Sequence, residues 1–176
     1  MSTATHMFLE RTFDSALTVG DVLAGSRRTA WCFELHKVAW QGSFLAAGGR
    51  QMICSFSALD AESTRMALRK AKTDARVLWA GTVHEAREPA AANVLVERKF
   101  ESPVKLEEIQ SLEDAGSWCL QTHRVKFART FFSADGKRML CLYEAPDAEA
   151  VRLAQREAGM PLDAVWAFER ISPDMM

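Results

Sequence analysis

The sequence predicts an α+β protein made of two copies of one small βαββαβ domain. Three observations predict it. An offset of 87 residues carries Trp31 onto Trp118 and aligns the two halves without a gap. Each half alternates short strand patterns with two helical ones. Both alternation classes of the strands are apolar, so each sheet has two faces to bury.

The repeat is dense. Glu10-Arg11 falls on Glu97-Arg98, Cys32 on Cys119, His36 on His123 and Cys54 on Cys141. Asp60-Ala-Glu62 falls on Asp147-Ala-Glu149, and Trp79-Ala80 on Trp166-Ala167. Roughly three positions in ten are identical over the paired segments, too many for chance. Two copies of this length make domains rather than solenoid units. The expected division is residues 1–86, a Pro/Ala-rich linker at 87–93, and residues 94–176.

The C-terminal copy shows its elements most clearly. Val94–Phe100 alternates apolar and polar residues as a strand does. Leu106, Ile109, Leu112, Gly116, Leu120 and His123 recur at helical spacing, and are expected on one helix. Val125–Phe132 and Arg138–Tyr143 are strands joined by the turn Ser133-Ala-Asp-Gly136. Asp147 caps a second helix, which Gly159 and Pro161 end. Ala164–Phe168 is the last strand. This order is the ferredoxin-like split βαβ unit. Met139, Cys141 and Tyr143 lie on one strand face, Leu140 and Leu142 on the other. Two such domains are expected to pack sheet to sheet, as an intramolecular pseudo-dimeric α/β barrel. The chain is then a monomer with an internal pseudo-two-fold, or a homodimer.

Composition narrows the function. The chain has 176 residues, 48% hydrophobic and 26% charged, with a formal net charge of -1. Its basic residues are scattered, so nucleic acid is not an expected partner. No apolar run approaches the roughly 18 residues of a membrane span. The first residues lack the pattern of a secretory signal, so a cytoplasmic protein with four reduced cysteines is expected. GxGxxG, P-loop, HExxH and GxSxG motifs are missing, which excludes the usual nucleotide cofactor and hydrolase readings.

Val96-Glu-Arg98, Trp118-Cys119, His123, Ser133-x-Asp-Gly136, Cys141-Leu-Tyr-Glu-Ala-Pro-Asp147 and Ala158-Gly-Met-Pro161 together resemble a family of small domains of unknown function. That family includes a nickel-binding protein and belongs to the dimeric α/β-barrel group. The resemblance covers most of 94–168 and, more weakly, 7–81. It implies a metal ion, nickel or another divalent transition metal, as ligand. The N-terminal copy departs from the pattern, with Ser57-Ala-Leu59 for Glu144-Ala-Pro146 and Gly42 for Arg129. The halves are therefore expected to differ in function, the N-terminal one serving mainly as structural partner.

Two sets of residues are candidates for chemistry. Cys32 with His36, and Cys119 with His123, lie four apart on a helix, so thiol and imidazole can share one side. Core cysteines and helix-ending histidines are the bland alternative. Glu10 and Glu97 are strand glutamates among apolar residues, and Arg129 is the expected partner of Glu97. With Tyr143 and His123 they are candidates to line an organic-ligand pocket. Trp31 and Trp118 are expected to face outward, Trp79 and Trp166 to lie in the core. The readings are a metal-binding protein, a cofactor-free α/β-barrel enzyme or small-ligand binder, and a scaffold without a ligand.

Overall fold

A computed structural model describes residues 4–85 and 91–176. Of the expected linker, residues 87–90 lie outside the described residues. The chain divides into two compact units, Met1–Gly81 with Glu169–Met176, and Thr82–Phe168.

The first unit contains β1 (Thr5–Thr12), α1 (Val19–Leu35), β2 (Ala39–Ala46), β3 (Gln51–Ala58), α2 (Ala61–Lys70) and β4 (Val77–Glu85). From Thr82 onward β4 belongs to the second unit. The strands pair antiparallel in the order β4-β1-β3-β2. A capping box starts α1: the Thr18 hydroxyl accepts from the Asp21 amide, and the Asp21 carboxylate accepts from the Thr18 amide. Asp60 caps α2 by accepting from the Ser63 amide at 2.7 Å. Met7, Leu9, Met52, Cys54 and Phe56 meet Val22, Ala67 and Leu68 of the helices in a buried core.

The second unit contains β5 (Val94–Lys99), α3 (Leu106–Ala115), α4 (Ser117–Thr122), β6 (Lys126–Ser133), β7 (Arg138–Glu144), α5 (Ala148–Glu157) and β8 (Ala164–Ile171). From Glu169 onward β8 belongs to the first unit. The pairing is antiparallel, in the order β8-β5-β7-β6. This is the mixed α+β architecture expected from the sequence. Gly136 has φ +69°, and a Cβ there would meet the Val104 carbonyl oxygen at 2.9 Å. The turn between β6 and β7 therefore needs a glycine.

One expectation is corrected. The stripe from Leu106 to His123 is not one helix: it breaks at Gly116 into α3 and α4. A Cβ on Gly116 would come within 2.5 Å of the Ala158 Cβ, so the residue serves close approach to the end of α5. In the first unit Thr29 holds the corresponding position, and α1 runs through unbroken.

Several local features recur at corresponding positions. Lys37 and Arg124 end a helix with φ of 55° and 57°. Register shifts fall between Trp40 and Gly42, and between Phe127 and Arg129. Trp31 and Trp118 are exposed, as expected.

Candidate functional site

The helix-facing side of each sheet carries an arginine near the end of its first strand, Arg11 in β1 and Arg98 in β5. In the second unit Arg98 is 1% exposed. Its Nη2 donates to Gln155 Oε1 and, at 3.4 Å, to the Tyr143 hydroxyl. That hydroxyl donates to Glu113 Oε1 at 2.9 Å. Strand β5, strand β7 and helices α3 and α5 thus meet through one polar cluster. Burial pushes the Glu113 carboxyl above its ordinary value, against the opposing pull of Arg98 and the Tyr143 hydroxyl. Burial likewise raises the Tyr143 phenol and the Cys141 thiol, so both are neutral near pH 7. Among the described residues, Arg98 Nε and Nη1 and Gln155 Nε2 have no hydrogen-bond partner. Beside this cluster, a hollow next to Glu113, Thr130 and Met139 measures about 110 Å³.

The first unit is built differently. Between its sheet and helices lies a cleft of about 780 Å³. Leu9, Val38, Met52, Phe56 and Leu68 supply apolar walls, and Arg11, Trp40, Ser43 and Cys54 add polar atoms. The Trp40 indole donates to Ser43 Oγ at 3.1 Å, and that hydroxyl donates to Cys54 Sγ at 3.1 Å. Burial raises the Cys54 thiol, so it adds no charge near neutral pH. Thr29 and Ala71 both line the cleft. They correspond to Gly116 and Ala158, which touch in the second unit. Thr29 brings a Cβ and more to a place where no Cβ fits in the other unit. The helices of the first unit cannot close in the same way, and volume is left between them.

The residues named from the sequence separate. Glu97 is buried and accepts from Trp166 Nε1 at 2.7 Å, not from Arg129. Glu10 accepts from Trp79 Nε1 at 2.9 Å. Trp79 and Trp166 are half-buried, which corrects their expected place in the core. A strand glutamate next to the indole N–H draws each ring out to its polar edge. Arg129 pairs with Glu85, and Glu144 lies 3.5 Å from Lys126. Tyr143 belongs to the Arg98 cluster. Among Glu10, Glu97, Arg129 and Tyr143, none lines the 780 Å³ cleft.

Cys32 and Cys119 are buried, 2% and 0% exposed. His36 and His123 end their helices. His123 Nε2 lies 3.0 Å from Glu157 Oε2. Among the described residues no group of three or more His, Cys, Asp or Glu side chains is placed to hold a metal ion. The donors present do not by themselves make a nickel site.

Sequence reasoning missed Arg11, Arg98, Glu113 and Gln155. A signal existed. Strand alternation puts Arg11 with Leu9, and Arg98 with Val96, on the helix-facing side, and a charge there requires partners. No described helix is long and apolar enough to cross a membrane.

The comparisons follow the same lines. No curated protein matches the chain significantly. The solved structure of SCO4226 from Streptomyces coelicolor A3(2) is 20% identical, spanning 42% of this chain and 91% of that one, with TM-score 0.38. A putative chlorite dismutase, TA0507, is 11% identical over 98% of this chain and 96% of that one, TM-score 0.52. A mutant chlorite dismutase from Candidatus Nitrospira defluvii is 11% identical over 98% and 93%, TM-score 0.55. At such identity the last two show likeness of fold alone. The sequence model described as nickel responsive protein SCO4226-like matches residues 95–167. Over those residues the chain is similar to the nickel responsive protein SCO4226-like family.

Proposed function

We propose that the chain binds a small organic molecule in the cleft of the first unit. The observation that carries this is the cleft itself: about 780 Å³, apolar walls and a few convergent polar groups. Ligand pockets measure roughly 300–1,000 Å³ and have this mixed lining. The reading reverses the expected roles of the halves. The N-terminal copy, diverged from the family pattern, has the space, and the family-like copy fills its own with Arg98, Tyr143 and Gln155.

The test is titration with N-phenyl-1-naphthylamine, a neutral apolar fluorophore, followed by its emission and by quenching of Trp40. Saturable binding that Leu9→Trp abolishes supports the reading. Binding unaffected by Leu9→Trp places the dye elsewhere and sinks it.

Metal binding is the second reading. The family match of residues 95–167 supports it, and so does His123 beside Glu157, an imidazole and a carboxylate 3.0 Å apart. Cys119, His36 and Cys32 stay proposed ligands on the helical spacing alone. A nickel titration in which His123→Ala changes nothing would count against this reading.

The organisation proposed is a tandem duplication, copies at 1–86 and 94–176, packed sheet to sheet as a pseudo-dimeric barrel. It is supported by the recurring caps, bulges and left-handed residues.

A further inference from the structure

We infer that the cleft of the first unit takes an organic monocarboxylate with an apolar body, its carboxylate held by Arg11. The inference rests on the reading of this cleft as a small-molecule site, and names the ligand class.

The two arginines differ in what surrounds them. Arg98 has Gln155 and Tyr143 as acceptors, and Glu113 supplies a carboxylate one hydrogen bond further on. The corresponding positions in the first unit are Leu68, Phe56 and Ser26. Every polar atom that meets the Arg98 head, and the carboxylate behind them, has been replaced. Arg11 is kept, half-buried, and lines the open volume. Among the described residues its side chain has no hydrogen-bond partner, and its guanidinium lies 4.9 Å from the centre of the Phe13 ring. A guanidinium does not deprotonate in proteins, so a half-buried one favours an incoming counter-charge.

The other charges do not meet this need. The Asp21 carboxylate is held by the Thr18 amide and hydroxyl, both at 2.8 Å. Asp74 is paired with Arg76 at 2.6 Å, feels the Arg11 charge only as the weakest of the influences on its carboxyl, and does not line the cleft. Glu34, Arg28 and Lys72 line it as exposed residues. A carboxylate matches the planar fork of a guanidinium with two parallel hydrogen bonds. Leu9, Val38, Met52, Phe56 and Leu68 offer nothing to an inorganic anion but cover a hydrocarbon or aromatic body. Of the cations that line the cleft among the described residues, Arg11 alone is not exposed, and it suits a single negative charge.

The test compares decanoate with decanol as competitors of N-phenyl-1-naphthylamine. On the unaltered chain decanoate should compete at least tenfold better than decanol. Arg11→Met should remove that preference, a loss of about tenfold or more for decanoate, with decanol unchanged. Arg98→Met, in the other unit, should leave both affinities as they were. If Arg11→Met fails to fold, the triple variant Ser26→Glu/Phe56→Tyr/Leu68→Gln takes its place. It rebuilds the partners of Arg98 around Arg11 and should abolish the preference for the anion.

Dye binding with decanoate no better than decanol overturns the Arg11 inference and leaves the cleft reading standing. So does an equal loss of both competitors in Arg11→Met. No binding of dye, decanol or decanoate overturns both.

Discussion

Trp166 Nε1 donates to Glu97 Oε1 at 2.7 Å, tying the last strand of the second unit to its first. The two residues are 69 apart in the chain, as are Trp79 and Glu10, which form the same bond at 2.9 Å. Glu97 is 8% exposed, so its acceptor has little access to water. Trp166→Phe should cost about 1–3 kcal/mol, the desolvation penalty of a buried acceptor left unmet. Urea unfolding measures it. The half-buried Glu10 regains water more easily, so Trp79→Phe should cost less. An equal cost for the two would contradict this account.

Gln155 and Arg98 form a second pair that acts as a unit. Gln155→Leu removes an acceptor from a buried guanidinium and should cost about 1.5–3 kcal/mol. Arg98→Met/Gln155→Leu removes both ends and should recover most of that loss. The first unit already has Leu68 at the corresponding position. A double variant less stable than Gln155→Leu would show that Arg98 contributes packing that methionine cannot replace.

Glu113 makes stability depend on pH. Burial holds its carboxyl above the ordinary value of 4.5, so the fold favours the protonated acid. The contribution is present in full below the unfolded value and is lost as pH rises through the folded one. Relative to the unaltered chain, Glu113→Gln should therefore gain stability between about pH 4 and pH 7. Parallel denaturant curves at the two pH values decide it, and a constant difference would remove Glu113 from this role.

Gly116 allows a close approach within the second unit. A Cβ there falls 2.5 Å from the Ala158 Cβ, so Gly116→Ala must push α4 from α5. Overpacking of this kind costs typically 1–3 kcal/mol. A helical alanine at an unconstrained site would instead stabilise relative to glycine. The sign of the change in thermal midpoint separates the two outcomes.

Much of the fold was legible because its signals are local. Asp147 caps a helix that starts where the sequence says, since a cap needs only the next three residues, and Asp60 caps α2 at the corresponding position. Gly136 marks a left-handed turn for the same reason. The glutamates Glu10 and Glu97 stood out as charges in apolar strands, and both do find buried or half-buried donors. Their partners were not legible: Trp79 and Trp166 each lie 69 residues away, and adjacency in the sheet brings them together. Arg129 looked a suitable partner by charge alone, yet Glu85 lies beside it.

By itself the sequence determined the mixed α+β class and most of the order of strands and helices. Periodicity, caps and turn glycines act over a few residues and can be read along the chain. Only the tertiary structure decided which half has room for a ligand. That depends on Gly116 lying against Ala158, where Thr29 and Ala71 line a cleft, and on what faces each arginine across four elements. Such differences are volumes and partners in three dimensions. A substitution of glutamine by leucine, or of tyrosine by phenylalanine, shows no sign of them until the chain is folded.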